Sequence, residues 1–204
     1  MSKKGISVQQ LVGTAILAAL VIILQAISSS IHVGPFTITL VLVPIIIGSI
    51  LYGPLSGAVL GFLFGVIVSA AVISGADVGG GMLFAVHPVI TILICLIKST
   101  AAGYLAGIAA GKFSGNNLYR GVILAAITAP IVNTGLFVLG LYLFFYDILK
   151  SWAAGAGQTN LFLFVIVGLV GINFLLELII DVVLVPVIVR IIHAARQSRN
   201  IDIA

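Results

Sequence analysis

GISVQQLVGTAILAALVIILQAISSSIHVGPFTITLVLVPIIIGSILYGPLSGAVLGFLFGVIVSAAVISGA, residues 5–76, contains no Asp, Glu, Lys or Arg. As one helix at 1.5 Å per residue it would be several times longer than the roughly 30 Å hydrocarbon core of a bilayer, so it must fold back on itself. Two breaks divide it: Ser28-Ser29-Ser30 through His32, Gly34 and Pro35, and Tyr52-Gly53-Pro54. In both, proline restricts the residue before it and glycine permits a turn. The resulting spans are 8–29, 37–52 and 54–74. The whole chain shares this character: of 204 residues, 62% are apolar and 7% charged, where a soluble domain carries roughly 25% charge. The composition predicts an all-α integral membrane protein with residues 1–204 as a single membrane domain.

The second half is read by the same signals. Ser74 to Gly81, with Gly75, Asp77, Gly79, Gly80 and Gly81, reads as a loop over the membrane surface. A fourth span covers 87–111, and Lys112 to Arg120, with Ser114-Gly115-Asn116-Asn117, forms the next turn. Span five is 119–146. Asp147 to Asn160 reads as a longer loop whose Trp152 suits the headgroup region, and a final helix runs over 161–194. The expected fold is a bundle of six transmembrane helices. Met1-Ser2-Lys3-Lys4 leads into the first span without a small-residue cleavage site, so that span is expected to be retained.

Cytoplasmic loops carry the surplus of Lys and Arg. With the N-terminus inside, Lys3, Lys4, Lys112, Arg120, Arg190, Arg196 and Arg199 fall at cytoplasmic ends, Lys150 falls outside, and Lys98 lies within a span. Both termini are therefore expected in the cytoplasm. The loops long enough to cover a ligand, at His32, Asp77 and Trp152, then all face outward.

Several function classes are disfavoured. A net charge of +4 placed at membrane ends gives no reason to expect nucleic acid as a partner. The single cysteine, Cys95, excludes an intrachain disulfide and a Cys-based metal centre, and reads as buried filler. There is no G-x-x-x-x-G-K-[ST] loop, so this chain cannot use ATP through a P-loop. H-E-x-x-H, G-x-S-x-G and paired-aspartate prenyl-transfer motifs are absent, and His87 with Asp77 does not make a metal site, so no catalytic residue, metal or cofactor is expected in this chain. A transport role must draw energy from a partner or an ion gradient.

Ionisable groups within a membrane cost several kcal/mol unless paired or hydrated, which makes Lys98, Glu177 and Asp181 candidates for function. Lys98 is placed near mid-membrane. Asn173, Glu177 and Asp181 follow at i, i+4 and i+8 and form one polar stripe on the last helix. Lys98 can pair with Glu177, face a ligand carboxylate, or serve a proton or ion relay. Neutral polar residues add Gln25, His87, Thr91, Tyr104, Asn133 and Thr134. Asn133, three residues after Pro130, can serve either the carbonyls freed by that proline or a ligand. His87, just before Pro88, is either a helix-start residue or a ligand contact. Small residues at Gly57, Gly61 and Gly65, and at Gly103, Gly107 and Gly111, form helix faces suited to close internal contact. Ala15 and Ala19 form a similar face, which can turn inward or meet another subunit.

Gly13-Thr14-Ala15-Ile16-Leu17-Ala18-Ala19-Leu20, Thr39 to Gly48 (TLVLVPIIIG) and Tyr52 to Gly61 (YGPLSGAVLG), in a six-span chain of this length, resemble the substrate-binding S component of energy-coupling factor (ECF) vitamin transporters. The resemblance covers nearly the whole chain. It is strongest to the pantothenate-specific S component, partly through His87-Pro88-Val89-Ile90-Thr91 leading to Lys98-Ser99. It implies a multi-pass protein of a prokaryotic cell membrane that binds one vitamin from outside. It further implies a transmembrane coupling subunit and two ATPase subunits that hydrolyse the ATP, with Ala15 and Ala19 meeting the coupling subunit. Pantothenate offers a carboxylate, an amide and two hydroxyls. The substrate-binding residues expected for it are Lys98 for the carboxylate and Asn133, Asn173, His87, Thr91 and Gln25 for hydrogen bonds, with Phe84 nearby. A flavin-sized or hydrophobic ligand would instead use Phe84, Phe137, Tyr142 and Trp152. Folate, riboflavin, pyridoxine and hydroxymethylpyrimidine are the other vitamins to consider. A stand-alone proton-coupled carrier and a membrane-embedded enzyme using Glu177 and Asp181 are the alternatives from other classes.

Overall fold

The structure, a computed structural model, describes residues 8–28, 32–33, 36–37, 40–113 and 117–201. Lys3, Lys4, Ser29, Ser30, Gly34, Pro35, Thr39, Ser114, Gly115 and Asn116, which entered the sequence reading, lie outside the described residues. The helices are α1 (Val8–Ser28), α2 (Leu42–Leu51), α3 (Pro54–Ile73), α4 (Val78–Val86), α5 (Pro88–Phe113), α6 (Leu118–Phe144), α7 (Tyr146–Gly155), α8 (Leu161–Leu163), α9 (Ile172–Val183) and α10 (Val185–Ile201). A π-helical segment, Phe164–Gly171, joins α8 to α9, and a two-residue hairpin, β1 (His32–Val33) with β2 (Phe36–Thr37), precedes α2.

Among the described residues, five helices are long and apolar enough to cross a membrane: Val8–Ser28, Pro54–Ile73, Pro88–Lys112, Leu118–Phe144 and Leu161–Val183. The stretch 37–52 is shorter than expected as a helix, because Thr37 pairs in β2 and helix begins at Leu42. Ser28 ties this region to α1, its Oγ accepting a hydrogen bond from the Leu40 N–H at 3.2 Å. At the other end of α1, Gln10 Nε2 donates to the Tyr52 carbonyl at 3.1 Å, so α1 and α2 run antiparallel.

Two stretches read as loops are helical. Asp77 caps α4, its Oδ1 accepting from the Gly80 N–H at 2.8 Å, and this cap with the burial of Leu83 outweighs the poor helix propensity of three glycines. Residues 147–155 are helical within α7, which buries Leu149 and Ala153 at i, i+4 and is closed by Gln158 N–H donating to the Ala153 carbonyl beside Gly157 at φ 69°. The helix expected over 161–194 is interrupted at Leu184, because Pro186 lacks an N–H and its ring crowds the carbonyl four residues before it.

The glycine series sets the closest helix contact. A Cβ added at Gly57 would meet the Gly103 carbonyl, at Gly61 the Ser99 carbonyl, and at Gly65 the Cys95 carbonyl at 2.8 Å. Partners that fall by four as the glycines rise by four define an antiparallel α3/α5 pair with touching backbones. These glycines therefore serve internal contact. Around the pair sit two apolar cores. One gathers Val21, Ile45, Leu60, Phe64, Val68, Val72, Cys95, Ala125 and Ile188, among others. The other holds Leu83, Leu141, Phe145, Leu149, Val165, Leu169 and Val170.

Candidate ligand site

Between those two cores lies a cavity that is open to one side. Each wall is placed by an element described above. From α3 come Phe64, Val68 and Val72, at four-residue spacing on one face. From α5 come Thr91, Ile94, Cys95 and Lys98, again one face of one helix. Helix α6 supplies Asn133, Thr134 and Phe137, α1 supplies Gln25, and α4 with its cap supplies Asp77, Gly80 and Leu83. The π segment widens its helix so that two successive residues, Leu169 and Val170, both line the cavity, and it sets the register that places Asn173 and Glu177 inside.

Five of the seven residues expected to bind substrate, Lys98, Asn133, Asn173, Thr91 and Gln25, line this cavity. His87 and Phe84 do not line it. His87 is exposed between α4 and α5, its ring edge-on to Phe145 at 5.6 Å, and Phe84 packs beside the first core. Of the aromatics named for a flavin-like ligand, Phe137 lines the cavity, whereas Tyr142 and Trp152 pack against the second core. Tyr104 is exposed. Glu177 shares the cavity with Lys98, and Asp181, one turn further, is buried outside the lining.

The polar groups are arranged unevenly. Gln25, Asn133 and Asn173 are 4%, 4% and 8% exposed, and each has an amide oxygen with no hydrogen-bond partner among the described residues: Oε1, Oδ1 and Oδ1. A buried acceptor left unpaired costs about 1–3 kcal/mol, so three around one cavity mark a place built for something else to donate. Lys98 Nζ sits 4.7 Å from the centre of the Phe137 ring, a cation held over an aromatic face at the cavity wall. Thr91 is committed differently, because its hydroxyl donates to the His87 carbonyl at 2.9 Å and is left only to accept. The set can therefore receive an anion at Lys98 and several N–H or O–H donors at the amides, with apolar walls between.

Sequence reasoning missed Asp77, Phe64 and Phe145 as lining residues. Asp77 carried a usable signal, an Asp three residues before a glycine at a helix start. Phe145 carried none, because its position depends on how α6 and α7 meet.

The description "ECF transporter, substrate-specific component" matches residues 9–189, most of the chain. The chain belongs to the S components of ECF transporters. The pantothenic acid transporter PanT of Lactococcus lactis subsp. cremoris (strain MG1363) is 31% identical to it over 198 residues, covering 90% of this chain and 93% of the relative. The S component is thus a multi-pass membrane protein of a transport family and not an enzyme. Its exposed α1 face carries Ala15 and Ala19.

Proposed function

We propose that this S component captures pantothenate from outside the cell and delivers it inward with a transmembrane coupling subunit and two ATPase subunits. The observation that carries the ligand is the cavity that joins Lys98 to three unpartnered amide oxygens. Pantothenate has one carboxylate for the cation and three donors, an amide N–H and two hydroxyls, for the acceptors of the lining. Its branched methyl groups suit the Phe64, Val68 and Leu169 walls. A neutral or purely aromatic vitamin would leave Lys98 with only the carboxylates of the lining, Asp77 and Glu177, as counter-charges. The relative named for pantothenic acid supports the same vitamin.

The chain crosses six times in this reading, with α2 and its hairpin making the second crossing. Lys112 ends α5 and Arg120 starts α6, while Lys150 sits on α7 at the opposite end. Surplus positive charge assigns the Lys112 and Arg120 end, and both termini, to the cytoplasm of the plasma membrane. The end of the cavity lined by α4 and its cap then faces outward. The S component needs no cofactor of its own, and ATP is hydrolysed by its partners. Ala15 and Ala19, exposed on α1 beside Ile16, Leu20 and Ile23, give the coupling subunit a shallow apolar face on which backbones can approach closely.

Calorimetric titration of the detergent-purified S component against a panel of water-soluble vitamins tests the ligand. One-to-one submicromolar binding of pantothenate alone is expected. Tight binding of a different vitamin would discard the pantothenate assignment and keep the family.

A further inference from the structure

The cavity lining carries Lys98 and Glu177 toward one end and Asp77 toward the other. Lys98 is adjacent to Ser99, whose carbonyl faces Gly61 in the α3/α5 ladder. Asp77 belongs to the other end: a Cβ added at Gly80 would meet Val72 Cγ2 and, at 3.2 Å, Asp77 Oδ1. From residue 61 to residue 72, α3 rises by about 16 Å at 1.5 Å per residue. A helical side chain leans toward its own N-terminus, so Lys98 reaches part of the way up from the deep end toward the mouth. Thr91, Ile94 and Cys95 line the interval. The enclosure thus suits an extended molecule lying along α5, anion down and hydroxyls up.

The α4 cap uses Asp77 Oδ1, and the Asp77 carboxylate is part of the cavity lining. Glu177, the other carboxylate of the lining, lies four residues beyond Asn173, away from this end. Lys150 is at the mouth end, but its Nζ sits over the Tyr146 ring at 4.8 Å and it does not line the cavity. Asp77 therefore sets the charge that a ligand's upper end meets.

We propose that Asp77 is a specificity-determining residue that accepts the terminal hydroxyl of the bound ligand and rejects any analogue carrying an anion at that position. The inference rests on the pantothenate reading of the site. A phosphate monoester of that hydroxyl replaces an O–H donor with acceptor oxygens and a charge of about −1.5 to −2. Against a carboxylate in a partly desolvated mouth, this is like-charge contact on top of a lost hydrogen bond, a repulsive filter that leaves the vitamin's own contacts intact.

The test is calorimetric titration of the full chain in detergent, wild type and Asp77→Asn, with pantothenate and with the monophosphate ester of its primary hydroxyl. Asn is as good an N-cap as Asp, so the substitution removes the charge and keeps α4 capped; Asp77→Ser, also a good cap, is the second variant. Wild type should bind the ester at least about a hundredfold more weakly than the vitamin, as several kcal/mol of like-charge contact requires. In Asp77→Asn pantothenate should weaken by roughly tenfold or more, because the hydroxyl loses its charged acceptor, while the ester should not weaken, so that ratio should shrink at least about tenfold. Tight pantothenate binding with the ratio unchanged in both variants overturns the role of Asp77 alone. Absence of pantothenate binding to wild type overturns the ligand reading and this inference together.

Discussion

Replacing Lys98 with methionine keeps an unbranched apolar stem over Phe137 and removes the cation. If the ligand carboxylate lies on Lys98, the variant loses one charge-assisted hydrogen bond, worth about 1.5–3 kcal/mol. The residue is only partly buried, so the larger Coulomb figure for a dry interior does not apply. The affinity for pantothenate should therefore fall by roughly 10- to 150-fold. The control is pantothenol, in which an alcohol replaces the carboxylate and every other group is retained. Its affinity should change by less than about threefold, because a neutral hydroxyl gains little from the cation. Calorimetry on both ligands, with a thermal melt to establish folding, reads the difference directly. Equal losses for acid and alcohol would show that Lys98 acts on the fold and not on the carboxylate. An unchanged pantothenate affinity in a folded variant would move the anion to another part of the cavity.

Asn133→Leu removes an amide oxygen that has no partner among the described residues; it should weaken pantothenate by about 0.5–1.5 kcal/mol while leaving the ligand-free melting midpoint unchanged or higher, and a lowered midpoint would mean Asn133 serves the Pro130 region instead. Gly103→Ala places a methyl against the Gly57 carbonyl and should cost about 1–3 kcal/mol of stability; a melt identical to wild type would refute the α3/α5 contact. Joint replacement of Ala15 and Ala19 by leucine should leave pantothenate affinity intact and reduce co-purification with the coupling subunit and ATPases at least about tenfold. Normal assembly by that double variant would remove α1 from the interface.

How much of this was readable in advance follows from what each signal measures. The apolar runs and the Gly-Pro and Pro breaks located the long helices, because hydrocarbon thickness sets their length and proline ends them locally. Lys98, Gln25, Asn133 and Asn173 were legible because a polar group within a span needs a reason to be there. The glycine rows were legible as contact surfaces at Gly57, Gly61, Gly65, Gly103 and Gly107 but not at Gly111, where an added Cβ would meet nothing within 4 Å, and the pairing of 57 with 103 and 65 with 95 depends on how the two helices meet. Helix α4 was not legible: three successive glycines argue for a loop, and only the Asp77 cap and burial against Val72 reverse that. Nor was the π segment, since Phe164 to Gly171 is a uniformly apolar run in which an extra residue per turn leaves no trace. His87 was named from its place just before Pro88 and Phe84 as an aromatic of the expected outward loop, but which way such residues point depends on how α4 meets α5, a tertiary matter.

The separation of the interior into two cores, with unpaired amides at the seam, makes the vitamin part of the architecture. The seam is held by α6 and the π segment and carries three buried acceptors without partners among the described residues; a ligand that donates to them would bridge it by hydrogen bonds from both sides. A ligand at a thousand times its Kd contributes about 4 kcal/mol to the state that binds it, a large share of a typical domain's margin of about 5–15 kcal/mol. Substrate supply would then govern how long the protein survives as well as how much it carries. A cell short of the vitamin would hold the form most exposed to proteolysis, and the abundance of the S component would itself register the nutrient.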